Sequence, residues 1–374
     1  MSHSVILAAR RSAIVPRNGA FSPLAIEEVA APVLRAAMSD AFLKPGDVDE
    51  LILANSLGAG GNPARIVALA AELPERVAGL SIDRQCVGGL DALLIADSMI
   101  RSGQCDVVIA GGAESYSRMP LRYRTFADRR PPQRYDQAQF TPWPDRDPGM
   151  AEAADRLANE FGISRGEQNA WAIDSHSKAM HAQTEQIVEI VNVSKDQFTR
   201  NLTERHCSRA KVVSGSITAA NMSVAADGAA FVVVSSSEWA ANRGLTGVEL
   251  LGGCTEGGDP ELPGLAPINA INRALSAYSL DPRDLGNVEI MEAFSVQAIA
   301  CVKGAQINPA VVNRWGGSLA RGHPIGASGA VLAVQLFHQL RGTDELGLAA
   351  IAAAGGLGTA VLFRSQTHAS NQPC

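Results

Sequence analysis

The 374-residue chain has few aromatic residues, few charges and no long apolar stretch. Aromatic residues make up 5% and charged residues 19%, against 46% hydrophobic residues, which is ample core for two or three domains. No apolar run of about 20 residues is free of glycine or charge, which argues against a membrane-spanning helix. The formal net charge of −6 gives no reason to expect nucleic-acid binding.

Cysteine is also scarce. The six cysteines include no CxxC spacing and lack the density of a disulfide scaffold, which is typical of a reducing cytoplasm. The first residues enter a strand-like run without the basic and apolar regions of a signal peptide, so we expect a cytoplasmic protein. The histidines have no ligand-like spacing to carboxylates or thiols, and the sequence therefore predicts no metal site.

What the chain does contain is an internal repeat. The segment at 43–53 recurs at 280–290, an offset of 237 residues, with the leucine, the proline, one aspartate and the apolar pattern retained. The same offset carries Cys86 onto His323. After each of these residues come a small-residue turn, an apolar helix ending at glycine, and an apolar strand ending in Gly-Gly. A period this long predicts two duplicated half-domains rather than a solenoid.

The alternation of strands and helices predicts an α/β protein with a mostly parallel, helix-covered sheet. Residues 1–118 and about 219–242 are predicted to form the N-terminal half, and residues 243–365 the C-terminal half. Residues 119–218 break the pattern with a stretch rich in proline and arginine, followed by amphipathic helices. This indicates an inserted loop domain that carries binding surface. Residues 366–374 are expected to form a flexible tail.

Five motifs resemble those of the thiolase superfamily, and together they extend over essentially the whole chain. They are RQC-x-GG at 84–89, AGGAES at 110–115, the helical segment at 149–172, MEAF at 291–294 and GHPIGASGA at 322–330. The last motif is the most specific. The resemblance implies two duplicated βαβαβαββ halves in a five-layer arrangement with an inserted loop domain. It also implies a homodimer or homotetramer that acts on acyl-CoA, with coenzyme A as substrate or product and no bound cofactor.

Cys86 and His323 are the predicted catalytic pair. A thiol is a poor nucleophile until it is ionised, and a helix N-terminus together with an imidazole lowers its pKa from about 8.5. A lone cysteine is usually a small buried hydrophobe, which is our interpretation of the other internal cysteines. The resemblance assigns Cys86 as the acyl-carrying residue and His323 as the base that activates it. It further implies an oxyanion hole built from the backbone N–H groups of Cys86 and Ala354.

Two positions depart from the family pattern. Thiolases carry a second cysteine in their glycine-rich C-terminal motif, where it moves the α-proton of the second acyl-CoA, and here that position is Ala352. The asparagine of the family's Asn-Glu-Ala-Phe motif, which holds a water in an oxyanion hole, is replaced by Met291. Ala352 cannot move a proton, and a thioether cannot orient water as an amide does. We therefore expect acyl transfer to survive and carbon–carbon chemistry to be weak or atypical.

Substrate contacts are predicted at three positions that resemble family contacts, namely Met150, Ser223 and Phe294. Six arginines are interleaved with aromatic residues and could meet the phosphates and adenine of coenzyme A. They are Arg118, Arg122, Arg124, Arg129, Arg130 and Arg134. The same stretch could equally be a solvated basic loop or a subunit contact.

The sequence thus predicts a thiolase-family acyltransferase that works through a Cys86 acyl-enzyme, of the acetyl-CoA acetyltransferase or 3-ketoacyl-CoA thiolase type. Two alternatives stay open. One is acyl transfer to a nucleophile other than an enolate, which needs no second cysteine. The other is a catalytically silent thiolase-like subunit that binds coenzyme A esters or stabilises a partner. Retention of both Cys86 and His323 argues against a silent subunit.

Overall fold

The computed structural model describes residues 3–58 and 60–365, so the predicted flexible tail at 366–374 lies outside the described residues. Within the described part of the chain the strands are β1 (Ser4–Ser12), β2 (Val15–Pro16), β3 (Glu50–Ala54), β4 (Leu80–Ile82), β5 (Val107–Glu114), β6 (Arg122–Arg124), β7 (Gln133–Tyr135), β8 (Ile187–Val188), β9 (Val212–Ser214), β10 (Ile217–Thr218), β11 (Ala226–Ser236), β12 (Val248–Gly257), β13 (Leu285–Ile290), β14 (Leu346–Ala353) and β15 (Leu357–Ser365). The α-helices there are α1 (Ile26–Asp40), α2 (Pro63–Ala70), α3 (Gly88–Arg101), α4 (Met150–Glu160), α5 (Arg165–Met180), α6 (Glu204–Arg209), α7 (Ser237–Ala241), α8 (Ala266–Ala277), α9 (Ser295–Gly304), α10 (Ser318–Arg321) and α11 (Ile325–Leu340). None of these helices combines the length and apolarity needed to cross a bilayer.

The main sheet shows the internal repeat directly. Its strands follow the order β13-β14-β15-β12-β1-β11-β5-β3-β4. Four strands on each side of the contact between β1 and β12 correspond to one another, and β4 is an additional edge strand of the first half. The outer pairs β3–β5 and β13–β14 are parallel, whereas the pairs that follow them inward are antiparallel in both halves. β1 and β12 join the halves antiparallel, with Ser4 opposite Leu250. The repeat predicted from sequence is therefore a structural repeat.

Helices form three further layers around the two halves. α1 and α2 cover the outer face of the first half, α8 covers the outer face of the second, and α3 and α11 pack between the halves. Alternate residues of β5 show the division, because Val108 and Ala110 join the central core while Val107 and Ile109 join the core beneath α1 and α2. The predicted α/β fold of two duplicated halves in five layers is confirmed. The predicted mostly parallel sheet is wrong, because the inner strand pairs of both halves are antiparallel.

The two central helices cross at glycines. A Cβ atom on Gly89 would lie 2.5 Å from the nitrogen of Ala330, and one on Gly329 would lie 2.4 Å from the nitrogen of Leu90. Both neighbours are backbone atoms, which cannot move aside as a flexible side chain can. Glycine therefore lets α3 and α11 touch backbone to backbone, and the crossing brings the N-terminal ends of the two helices together.

The residues between the two parts of the first half form their own elements. β6 pairs with β7, β9 pairs with β10, and α4 packs against α9 of the second half. The chain then returns along 221–225, where the Ser223 N–H donates to the Ala293 carbonyl at 2.9 Å and the Val224 carbonyl accepts from the His323 N–H at 2.8 Å. This return segment fixes two loops of the second half beside the first. The domain boundaries near 118, 218 and 242 stay predictions.

Candidate active site

Cys86 lies in a short 3₁₀ helix, Gln85–Val87, that runs directly into α3. The chain turns at Asp83, whose carboxylate accepts the N–H of Gln85 at 3.0 Å. Gln85 has a φ of 53°, an uncommon conformation for a side-chain-bearing residue and one that tends to occur at functional sites. The turn places the Cys86 thiol at the first turn of a helix, where backbone N–H groups lack acceptors within the helix.

His323 faces that thiol from the start of α11. Its Nε2 lies 3.2 Å from the Sγ of Cys86, and its Nδ1 lies 2.6 Å from the Oγ of Ser328. Ser328 donates its own hydroxyl proton to the carbonyl of Pro324 at 3.0 Å, so its oxygen accepts from Nδ1–H. The network leaves the Nε2 lone pair directed at the thiol. This is the tautomer that a general base requires.

Burial opposes charge on both members of the pair. Desolvation raises the pKa of the Cys86 thiol to about 12, with smaller contributions from the carboxylates of Glu114 and Asp83. Desolvation also lowers the pKa of His323 to about 4. The pair is therefore a neutral thiol hydrogen-bonded to a neutral imidazole. The predicted lowering of the thiol pKa is wrong, because desolvation outweighs the helix terminus, and the proton must move from Sγ to Nε2 as the thiol attacks.

Glu114, at the end of β5, ties the two halves together beside the pair. Its carboxylate accepts from the side chain of Asn55 at 2.7 Å and from the N–H groups of Ser56 and Leu57 at 2.9 and 3.1 Å. It also accepts from the N–H of Gly326 in α11 at 3.0 Å. Burial still raises its pKa to about 7. The AGGAES motif contains Glu114, but a contact across 212 residues of sequence could not be predicted from it.

One cavity of about 720 Å³ joins most of the predicted site residues. Cys86 and His323 line it, and so do five other predicted positions: Met150, Ser223, Phe294, Ala352 and Ala354. The structure therefore places the predicted pair, the predicted substrate contacts and the altered acid/base position around one space. Their catalytic and binding roles stay predictions.

Met291 lies outside this cavity. Its side chain is 1% exposed in the core between the halves, and its sulfur accepts from the hydroxyl of Ser318 at 2.8 Å. It is absent from the described residues that line the cavity. Ala354, in contrast, follows β14 at the cavity wall, and its N–H has no acceptor among the described residues. A free backbone donor of this kind is what an oxyanion hole needs.

The predicted substrate contacts differ in the chemistry that they offer. Met150 and Phe294 belong to one small apolar cluster with Leu157, and together they give the cavity an apolar wall. Ser223 donates its hydroxyl to the carbonyl of Glu292, so only its oxygen lone pairs are left for a ligand. The cavity thus offers an apolar surface beside the reactive pair.

The arginine-rich stretch is only partly at the cavity. Arg122 and Arg134 line it, whereas Arg130 packs over the ring of Phe126 at 3.5 Å from the centroid. Arg122 donates to the carbonyl of Ser56 at 2.8 Å and has no carboxylate partner among the described residues. An uncompensated guanidinium at the cavity is suited to an anionic ligand. Within residues 3–58 and 60–365 no cluster of three or more His, Cys, Asp or Glu side chains could hold a metal ion.

Ser328→Ala is expected to slow the alkylation of Cys86 by iodoacetamide about 3- to 10-fold, since one hydrogen bond contributes about 0.5–1.5 kcal/mol to the required tautomer. Alkylation would be followed by mass spectrometry of the peptide that contains Cys86. Ser98→Ala is the matched control, because the Ser98 hydroxyl also donates to a carbonyl four residues earlier, at 2.9 Å in α3. Equal alkylation rates in both variants would contradict the role of Ser328.

Fold and site together define a class: a two-half α/β protein with a cysteine–histidine pair at the junction of its halves. The family model described as the thiolase N-terminal domain matches residues 4–238, and the thiolase C-terminal domain matches residues 248–365. The chain belongs to the thiolase family. Its function is therefore a thiolase-family function.

Relatives are similar over nearly the full length. The chain is 38% identical over 376 residues to the Bacillus subtilis (strain 168) protein named "Putative acetyl-CoA C-acetyltransferase YhfS", with 96% of this chain and 99% of that protein covered. The crystal structure of the Bacillus anthracis acetyl-CoA acetyltransferase has a TM-score of 0.91 at 34% identity and covers 98% of this chain and 99% of its own. The Acat5 thiolase from Ascaris suum, in complex with coenzyme A, has a TM-score of 0.89 at 30% identity, with 97% and 100% covered. The predicted family resemblance is confirmed.

Proposed function

We propose that the protein is an acyltransferase that takes an acyl group from an acyl-CoA thioester onto Cys86, as acetyl-CoA acetyltransferases and 3-ketoacyl-CoA thiolases do. The observation that carries the proposal is the 3.2 Å contact between the Nε2 of His323 and the Sγ of Cys86 on the wall of a large cavity. The names of the similar proteins, and the coenzyme A bound in the Ascaris suum structure, support a coenzyme A ester as the substrate.

The first half-reaction follows from the geometry of the pair. The Cys86 thiol gives its proton to Nε2 of His323 as Sγ attacks the thioester carbonyl. Negative charge then develops on the carbonyl oxygen, where the N–H groups of Cys86 and Ala354 are the proposed donors. Collapse of this adduct breaks the carbon–sulfur bond of the substrate, and the departing coenzyme A thiolate takes the proton from His323. Cys86 is left as a thioester.

The proposed orientation of the substrate uses the two chemical surfaces of the cavity. The apolar wall made by Met150 and Phe294 suits the acyl chain or the pantetheine arm, where burial of each methylene contributes about 0.8 kcal/mol. Arg122 and Arg134 on the same cavity suit the phosphates of coenzyme A. Ser223 offers an acceptor oxygen at the cavity wall.

A second function is favoured by the alanine at the acid/base position. Ala352 lines the cavity where the family pattern has a proton-transferring cysteine. Acyl transfer to a nucleophile other than a carbanion does not require that cysteine, so the site has every group that this reaction uses. Efficient formation or cleavage of a carbon–carbon bond would require another group to transfer the proton of the α-carbon. A catalytically silent subunit is disfavoured, because the pair retains the hydrogen bond and the tautomer that acyl transfer requires.

We also propose a homodimer or homotetramer. β4 is the edge strand of the main sheet, and apolar side chains are exposed beside it on β4 and α2. They are Ile66, Leu69 and Leu80. An open sheet edge with exposed apolar residues is a surface that a second chain can cover. Light scattering on the eluting protein should give the mass of two or four chains, and a monomer at micromolar concentration would contradict this assembly.

Exchange between acetyl-CoA and deuterium-labelled coenzyme A tests the proposed acyl transfer without any carbon–carbon chemistry. We expect the native protein to move label into acetyl-CoA and Cys86→Ala to show only the uncatalysed rate, a loss of at least about 10³-fold. Cys254→Ala is the control, because Cys254 is also a partly exposed thiol but lies outside the cavity. No exchange with acetyl-CoA or with longer acyl-CoAs would contradict the proposal and favour a silent subunit.

A further inference from the structure

The cavity contains few groups that could move a proton to or from carbon. Its titratable lining residues within the described chain are Arg17, Asp83, Cys86, Tyr116, Arg122, Arg134, Asp136 and His323. Arginine stays protonated at neutral pH, and the cysteine–histidine pair is used by acyl transfer. Of these side chains, only the two aspartates and the tyrosine are left to consider.

Both aspartates are already engaged. Asp136 is 74% exposed and forms an ion pair with Arg134 at 3.1 Å. Asp83 is exposed and accepts from the hydroxyl of Ser56 at 2.8 Å and from the N–H of Gln85 at 3.0 Å. An exposed carboxylate that is held by protein groups is poorly placed to meet the reacting carbon of a substrate. Tyr116 is the remaining candidate.

The chain holds Tyr116 in place from both sides. It stands two residues beyond Glu114, the last residue of β5. The next residue, Ser117, donates its N–H to the carboxylate of Asp227 at 3.0 Å, and its hydroxyl accepts from the N–H of Asn18 at 2.8 Å. The Tyr116 phenol is half-buried, and its oxygen has no hydrogen-bond partner among the described residues. A positioned but unpartnered phenol at a reactive cavity is free to bond to a substrate.

The electrostatic surroundings keep this phenol protonated. Burial raises the pKa of Tyr116 above its ordinary value, the neighbouring acidic groups of Cys86 and Glu114 act in the same direction, and Arg17 acts in the opposite direction. A phenol in such a place is a proton donor at neutral pH and a poor base. The Cys301 thiol is fully buried, is absent from the described residues that line the cavity, and donates to the carbonyl of Gly264.

We propose that Tyr116 donates the proton to the α-carbon of the acyl-CoA that departs when a 3-ketoacyl-CoA is cleaved, a step for which Ala352 has no proton to offer. The inference rests on the proposed function, because it needs the acyl-enzyme on Cys86. In this step the thiol proton passes to Nε2 of His323 as Sγ bonds to the 3-keto carbon. The bond between that carbon and the α-carbon then breaks, and its electron pair forms an enolate. The enolate takes the phenol proton and leaves as the shortened acyl-CoA.

The second half of the cycle restores the proton. Incoming coenzyme A gives its thiol proton to the Tyr116 phenolate and attacks the Cys86 thioester as a thiolate. The new acyl-CoA leaves, and the released Cys86 thiolate takes its proton back from Nε2 of His323, which restores the neutral pair. No oxidant, metal or additional co-reactant enters the balance.

The proposal is tested by comparing the rates at which two acyl donors acylate Cys86. With acetyl-CoA the leaving group is a thiolate and needs no carbon acid, whereas with a 3-ketoacyl-CoA the leaving group is a carbanion. We expect Tyr116→Phe to slow single-turnover acylation of Cys86 from acetoacetyl-CoA by about 10²-fold or more, while acylation from acetyl-CoA stays within about 3-fold of native. Intact-mass measurements on quenched samples report both rates. Adding Ala352→Cys to Tyr116→Phe should restore part of the acetoacetyl-CoA rate.

The controls separate this proposal from the function that it rests on. Tyr278→Phe removes a phenol that also has a raised pKa but lies outside the cavity, and it should leave both rates unchanged. If Tyr116→Phe slows acylation from both donors equally, or from neither, the proton-donor role is overturned. Native protein acylated by acetyl-CoA but not by acetoacetyl-CoA also overturns it and leaves the proposed acyl transfer standing. Native protein acylated by neither donor overturns both.

Discussion

His323→Ala should slow the acylation of Cys86 by about 10²- to 10⁴-fold at neutral pH. The reason is that Nε2 of His323 lies 3.2 Å from the Sγ of Cys86, where it can accept the thiol proton. Burial raises the pKa of that thiol to about 12, so very little thiolate forms without a base. Stopped-flow measurement of coenzyme A release, or quenched intact-mass measurement, gives the rate.

The pH profile of the same variant tests the assignment further. In the native protein the rate should fall as pH decreases through about 4, because Nε2 becomes protonated and can no longer accept the thiol proton. In His323→Ala the rate should instead rise about tenfold per pH unit toward pH 12, because acylation then waits for the thiol to ionise. His338→Gln is the control, since His338 is also partly buried with a lowered pKa but binds the carbonyl of Ala9. If His323→Ala kept the native rate and the native pH profile, the assignment of His323 as the general base would be contradicted.

Gly329→Ala is expected to lower the free energy of unfolding by about 1–3 kcal/mol, which is the usual cost of an added methyl group in a packed core. The new Cβ would lie 2.4 Å from the backbone nitrogen of Leu90, so α3 and α11 must move apart. Since these helices carry Cys86 and His323 at their N-terminal ends, acylation should slow as well. Urea unfolding followed by circular dichroism measures the change in stability.

Gly46→Ala supplies the control for that substitution. A Cβ on Gly46 would meet nothing within 4 Å, so the same chemical change costs little there. The two variants should differ by at least about 1 kcal/mol in the free energy of unfolding. Equal stabilities would mean that the helix crossing tolerates a methyl group, and the explanation of the glycines would be wrong.

The layout of the halves and the reactive pair could be predicted because they depend on repeated local patterns. The offset of 237 residues that carries Cys86 onto His323 reflects the four corresponding strands on each side of the contact between β1 and β12. Small residues after each reactive position indicated tight helix starts, and the structure shows that Gly89 and Gly329 also meet one another. A pattern that occurs twice in one sequence can be checked against itself, which a single motif cannot.

The electrostatics and the lining of the cavity could not be predicted, because they depend on contacts between distant segments. The thiol pKa of Cys86 was predicted to fall, yet burial between the two halves raises it. Met291 was expected at the site, but its side chain turns into the core and bonds to Ser318. Tyr116 has no local signal, since its place at the cavity follows from the loop beyond β5 and its tie to Asp227. Only the folded chain reveals these neighbours.

The most direct test of the central claim is the mass of the intact protein after brief incubation with acetyl-CoA and acid quenching. We predict a gain of one acetyl group, located on the peptide that contains Cys86, removed by hydroxylamine as a thioester should be, and absent from Cys86→Ala. Addition of coenzyme A before quenching should remove the acetyl group again. An unmodified native protein, or an acetyl group that persists in Cys86→Ala, would contradict the account.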